Sequence, residues 1–181
     1  MDFETLSRSV LADVARCVQS VDAHQVRVFV DAIASKRRLF LIGSGRSGAM
    51  LEAMAVRLGH LDVAAHVAGK PDCPEIKHGD LVLVGSGSGR TPVPLERAIA
   101  ARRAGAAITL ITTNPVSPIA KMAKIVIHVP AAEAPAGSSH HTLRSLFEES
   151  LLIICDCACR MLQHKLGFST EDMQERHSTV E

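Results

Sequence analysis

The order of apolar and polar positions divides the chain into alternating stretches of helical and strand period. Residues 3–21 place Leu6, Val10, Val14 and Val18 four apart, the spacing of one helical face, and residues 26–34 continue as a second helix. Apolar runs of strand length then recur at 38–42, 64–68, 81–84, 108–111 and 125–129. Helical patterns at 49–59 and 94–104, and a short turn near 118–123, separate them. Continuous apolar strands alternating with helices predict an α/β fold: a three-layer α-β-α sandwich around a five-stranded parallel sheet covered on both faces. Ligands of such sheets bind outside the carboxyl ends of the strands.

The pattern lapses at 130–144, where Pro, Ala, Gly, Ser and the pair His140-His141 mark an irregular segment, long enough for a lid over a ligand or a plain connection. A long helix follows at 146–166, with Ser145 as its N-cap and Glu148 at capping-box spacing. Gly167 ends it, and Ser169-Thr170-Glu171-Asp172 starts a last short helix. The organisation predicted is a single domain over 1–181: N-terminal helices at 1–36, sheet core at 37–130, loop at 131–144 and C-terminal helices at 145–181. The first two helices have more apolar stripe than one domain can hide, so they are expected to cover the sheet and a neighbouring subunit.

Two loops of nearly the same composition follow the first and third apolar runs. They read Gly43-Ser44-Gly45-Arg46-Ser47-Gly48 and Gly85-Ser86-Gly87-Ser88-Gly89-Arg90-Thr91. Glycine lets consecutive N–H groups turn one way, and a helix N-terminus behind them adds partial positive charge, so the guest they suit is a phosphate. Hydroxyls of Ser44, Ser47, Ser86, Ser88 and Thr91 supply further donors. Neither loop has the lysine of a nucleotide-hydrolysing P-loop. The first also satisfies G-x-G-x-x-G, but the acidic residue that dinucleotide binding needs about 20 residues on is replaced by Gly69-Lys70 after the second strand.

Composition narrows the classes. A formal net charge of +1, with Trp and Tyr absent, leaves no electrostatic footprint for nucleic acid and few stacking platforms. Apolar stretches stop short of membrane-spanning length, and residues 1–20 mix charges throughout, so a soluble cytoplasmic protein with no membrane partner is expected. The five cysteines are an odd set that fits reduced thiols. On a helix Cys155 and Cys159 share a face while Cys157 points away, which reads as core packing and not as a metal site.

G-S-G-R-S-G after the first strand, V-G-S-G-S-G-R-T at the third, A-V-R-L-G-H-L at 55–61, S-L-F-E-E opening the long helix and R-H-S-T-V-E at the end together resemble the sugar isomerase (SIS) domain family, and within it the 6-phospho-3-hexuloisomerases. The resemblance implies a flavodoxin-like sheet, a homotetramer with sites completed by neighbouring chains, and isomerisation of a sugar phosphate without metal or cofactor. By position, Ser47 matches the first phosphate-loop serine, and Ser86, Ser88 and Thr91 match the second loop, S-x-S-G-x-T. Arg46 falls where relatives carry a basic residue near the sugar. Glu148 matches the catalytic base, with Glu149 the lesser candidate, and His177 the C-terminal histidine that moves protons between oxygens or opens the ring. Departures cluster near the sugar end: Lys70 and Cys73 stand where hexuloisomerases carry Glu and Thr, and His141-Thr142-Leu143-Arg144 replaces Q-P-M-G. A non-catalytic phosphosugar-binding module, or an isomerase for another ketose or aldose phosphate, shares the same serine loops.

Overall fold

The computed structural model describes residues 2–35, 38–131 and 145–177. Among these, the short apolar runs pair into one sheet, since each is extended and needs cover on two faces. Its strands are β1 (Arg38–Ile42), β2 (Ala64–Val67), β3 (Leu81–Gly85), β4 (Ala107–Thr112) and β5 (Ile125–His128), all parallel and ordered β2-β1-β3-β4-β5. That order makes the expected five-stranded parallel sheet, and the expected boundaries hold to within about one residue at each end. The helices are α1 (Phe3–Gln19), α2 (Ala23–Ala34), α3 (Gly45–His60), α4 (Pro92–Arg103), α5 (Ser145–Leu166) and α6 (Thr170–Glu175), with a 3-10 turn at Ala120–Met122.

The period of two along each strand sorts the core into two layers. Leu39, Leu41, Leu81 and Leu83 pack with Phe29 and Ile33 of α2, Leu51, Met54 and Leu58 of α3, and Leu151 and Ile154 of α5. Phe40, Ile42, Val82 and Val84 point the other way, onto Ala98 and Ala101 of α4 and Ile119 beside the 3-10 turn. At the edge where the strands begin, Arg38 Nε and Nη2 donate to the two oxygens of buried Asp80 at 3.0 and 2.6 Å, and Lys77 N–H donates to the same carboxylate at 2.6 Å. This fork fixes β1 against the approach to β3. The first helix stays half wet, as its stripe implied: it buries Asp13 and Cys17 but leaves Phe3 78% and Leu11 69% exposed.

Three starts differ from the sequence expectation. The second and fourth helices begin at Ala23 and Pro92, not at 26 and 94, and α3 begins at Gly45, not at 49. The reason at α3 is the tight turn before it. A Cβ on Gly43 would lie 2.8 Å from Gly48 Cα and 2.9 Å from Gly48 N, so only two facing glycines let β1 fold straight back into a helix. Arg46, Ser47 and Gly48 are thereby drawn out of a loop and into the first helical turn. The long helix runs from Ser145, within one residue of the expected start.

Because the neighbour Gly43 meets is backbone, Gly43→Ala is expected to lower the free energy of unfolding by about 2 kcal/mol, the usual scale of overpacking. Gly59→Ala, whose new methyl meets nothing within 4 Å inside α3, is expected to raise it by about 0.5 kcal/mol through helix propensity. Urea unfolding of the two variants reads both; a Gly43→Ala variant as stable as the wild type would contradict the close approach.

Candidate active site

In a sheet ordered 2-1-3-4-5 the chain reverses direction between β1 and β3, and the loops leaving those two strands open on a common crevice. The two serine-glycine loops are those loops. A cavity of about 150 Å³ forms there, walled by Ser44 and Ser47 from one side, Ser86, Ser88 and Thr91 from the other, and Phe147 and Glu148 from α5. All five hydroxyl residues named from the sequence, together with Glu148, therefore converge. The cavity lies at the N-termini of α3 and α4.

The caps of those two helices carry the electrostatics. Ser44 is the N-cap of α3 and Thr91 that of α4, yet neither side chain bonds its own helix. Thr91 Oγ1 sits 3.3 Å from both Ser86 Oγ and Ser88 Oγ, a hydroxyl cluster facing the cavity. Unsatisfied first-turn N–H groups of α3, the Val93 N–H of α4, whose Pro92 and Pro94 have none, and two dipole ends therefore meet neutral hydroxyl donors in a space of phosphate size. The geometry of the second loop is braced from behind. Gly87 O accepts from Thr112 Oγ1 at 2.9 Å, Thr113 Oγ1 at 2.8 Å and Thr113 N at 3.0 Å. Gly89 holds φ +59 with Ser117 packed where a side chain would go, which no other residue type allows. Sequence reasoning missed Thr112, Thr113 and Phe147; the signal available was a hydroxyl pair directly following the fourth apolar run.

At the mouth, Arg46 Nε donates to Glu148 Oε2, and Arg46 Nη2 stands 3.9 Å from Glu149 Oε1. Arg46 is 62% exposed and Glu148 only 14%, so the carboxylate is sheltered while its partner reaches in from solvent. Across a mouth this wet the ion pair orients Glu148 more than it stabilises the fold. Glu149 is turned further outward, at 35% exposure.

His177 is not brought to this cavity within one protomer. Its ring stacks on His60, centroids 5.1 Å apart, at the far end of α3. With α3 16 residues long, the separation from Arg46 is roughly 20 Å at 1.5 Å per residue. His140 and His141 lie outside the described residues, as do 132–144 of the irregular segment. Lys70 pairs with Glu52 of α3 at 3.1 Å, and Cys73 packs against the α4-side core. Cys155 and Cys159 are buried and Cys157 exposed, as expected of core packing. Burial, reinforced by Asp156, pushes the Cys159 thiol up to about 12, so it stays protonated and is no nucleophile. Among the described residues no helix is long and apolar enough to cross a membrane.

A doubly wound sheet with a hydroxyl cradle suited to an anion at its switch point defines a phosphate-binding class of α/β domain. The SIS domain model matches residues 32–154, and the chain belongs to the SIS domain family. It is 38% identical over 180 residues to a 3-hexulose-6-phosphate isomerase of Mycobacterium gastri, covering 98% of this chain and 89% of that one. A protein of the same description from Bacillus subtilis is 34% identical over 175 residues, covering 94% and 93%. Among solved structures, a protein of Methanococcus jannaschii described as inferring that same function superposes with a TM-score of 0.81 at 24% identity, covering 98% of each chain.

A hydroxyl of the cradle is expected to give a phosphate held there one charge-assisted hydrogen bond. Ser47→Ala and Ser88→Ala are each expected to weaken binding of a sugar phosphate by about 1 to 3 kcal/mol. Isothermal calorimetry measures this directly, and unchanged affinity in both variants contradicts the cradle.

Proposed function

We propose that the protein is a phosphosugar isomerase that interconverts D-arabino-hex-3-ulose 6-phosphate and D-fructose 6-phosphate through an enediol. One observation carries the reading: a sheltered carboxylate, Glu148, shares a phosphate-sized cavity with Ser44, Ser47, Ser86, Ser88 and Thr91. The SIS family and relatives described as 3-hexulose-6-phosphate isomerases support it.

The hydroxyls and the two helix N-termini hold the phosphate, which fixes the sugar chain against Glu148. Glu148 takes the proton from C2 of the 3-ulose, and the electron pair of that C–H bond becomes the C2–C3 double bond as the C3 carbonyl oxygen gains negative charge. Protonation of that oxygen gives the 2,3-enediol. Loss of the proton from the C2 hydroxyl then forms the C2 carbonyl, and C3 takes its proton back from Glu148. No atom is gained or lost, so no oxidant or reductant is required. A single carboxylate serves both carbons because they are neighbours. Arg46 holds Glu148 in place and lies near the developing enediolate charge.

His177 relays the protons between the two oxygens, and it does so from a neighbouring protomer, because its own cavity is a helix length away. In this reading the protein is a cytoplasmic homotetramer that needs neither metal nor cofactor, and the apolar residues left exposed on α1 belong to its subunit contacts. Sedimentation is expected to show the tetramer; a stable monomer with full activity contradicts it.

Glu148→Gln keeps shape and hydrogen bonding but takes no proton from carbon, so turnover is expected to fall at least about 100-fold with little change in ligand affinity. His177→Asn is expected to lose less. In deuterated water the wild-type protein is expected to place deuterium on the carbon beside the carbonyl, read by NMR. Binding of sugar phosphates with neither product nor deuterium incorporation would replace this reading with that of a non-catalytic binding module.

A further inference from the structure

The hydroxyl cavity accounts for one phosphate, yet a second and larger cavity of about 480 Å³ adjoins it. The two share Gly87, Ser88 and Phe147, and the larger is bounded further by Arg90, Thr113 and Asn114. A ligand held by its phosphate among the serines therefore has a direct path along Gly87 into this space.

The polar groups there are unequally committed. The Thr113 hydroxyl is spent on Gly87 O. Asn114 Oδ1 accepts from Val116 N–H at 3.3 Å, which leaves the amide Nδ2 with hydrogens to donate. Arg90 uses its backbone N–H on Ser88 Oγ at 3.3 Å, while its guanidinium forms no ion pair among the described residues, unlike Arg16, Arg38 and Arg46. Among the described residues no carboxylate lines the larger cavity. Its lining therefore presents one uncompensated cation, one amide donor and an aromatic wall. A sugar hydroxyl needs no cation, whereas a guanidinium fork matches the oxygens of a phosphate or carboxylate.

We propose that this cavity is a second anion subsite, so that the isomerase site also takes phosphorylated sugars bearing a second phosphate or a carboxylate at the end away from the first. The proposal rests on the isomerase reading for its first subsite. Such ligands bridge both cavities, with one anion in the hydroxyl cradle and the other on Arg90 and Asn114. They compete with the monophosphate substrate, and the ratio of mono- to doubly anionic sugars then governs flux through the site.

Calorimetry with fructose 6-phosphate and fructose 1,6-bisphosphate tests this on the wild-type protein and on Arg90→Gln. The wild type is expected to bind the bisphosphate about tenfold tighter, the equivalent of one added charge-assisted bond, and to be inhibited by it competitively. In Arg90→Gln, an exposed substitution checked for folding by circular dichroism, the ratio of the two affinities is expected to fall to about one. A monophosphate that binds while the bisphosphate gains nothing overturns the second subsite alone, as does a preference that survives Arg90→Gln. Failure of both ligands to bind overturns the reading of the first cavity together with it.

Discussion

A parallel sheet buried on both faces leaves this chain one place to do chemistry, the edge where its strands end. All five residues of β3 are buried, as are four of the five in β1. An unpartnered polar side chain inside either layer would carry a heavy desolvation cost. Apart from Thr109 and Ser150, whose buried hydroxyls find no partner among the described residues, most polar groups near the sheet lie at its two edges, and the edges are used differently. Where the strands begin, Arg38 and Asp80 neutralise each other in a forked pair that also ties down Lys77 N–H. Where they end, hydroxyls and helix N-termini are left without such mutual neutralisation, which is the condition for binding something else.

The cradle is built from neutral donors held rigidly and not from charge. Three hydrogen bonds converge on the Gly87 carbonyl, so the second loop is set by Thr112 and Thr113 before any ligand arrives. Preorganisation of this kind lets fixed dipoles act without reorganising at the moment of reaction. Charge is kept for the rim, where Arg46 and Glu148 face each other across a boundary between solvent and protein. A lysine in the cradle would have bound phosphate as well, but it would have offered Glu148 a competing partner beside the substrate.

The sheet was legible because its strands are continuous apolar runs bounded by glycine and charge, and the five hydroxyls were legible because they ride on two loops of nearly the same composition. Helix starts were less so. Sequence period shows where an apolar stripe begins, and the first turn of α3 carries Arg46, Ser47 and Gly48, none of which belongs to a stripe. Contacts between distant parts of the chain were the least legible. That Arg46 meets Glu148, 102 positions away, follows from α3 and α5 packing side by side, which neither segment's pattern reveals. Thr112 and Thr113 read as the plain end of a strand until their hydroxyls are seen on the neighbouring loop.

The placement of His177 has a further consequence for how such a site is assembled. A helix that begins in the cradle ends a helix length away from it, and α3 ends at His60, the residue on which His177 stacks. Residues carried beyond the end of α5 return to that distant end, since α6 packs beside the last turns of α3 and α5 through Phe168 and Met173. The two residues proposed for proton transfer, Glu148 and His177, therefore lie on elements that a single copy keeps apart. In the proposed assembly the second group arrives with a neighbour, and the apolar residues that α1 leaves in water are the surface through which that neighbour is recognised. On that proposal association is tied to the geometry of one helix: α3 is too long for both of its ends to serve the same cavity.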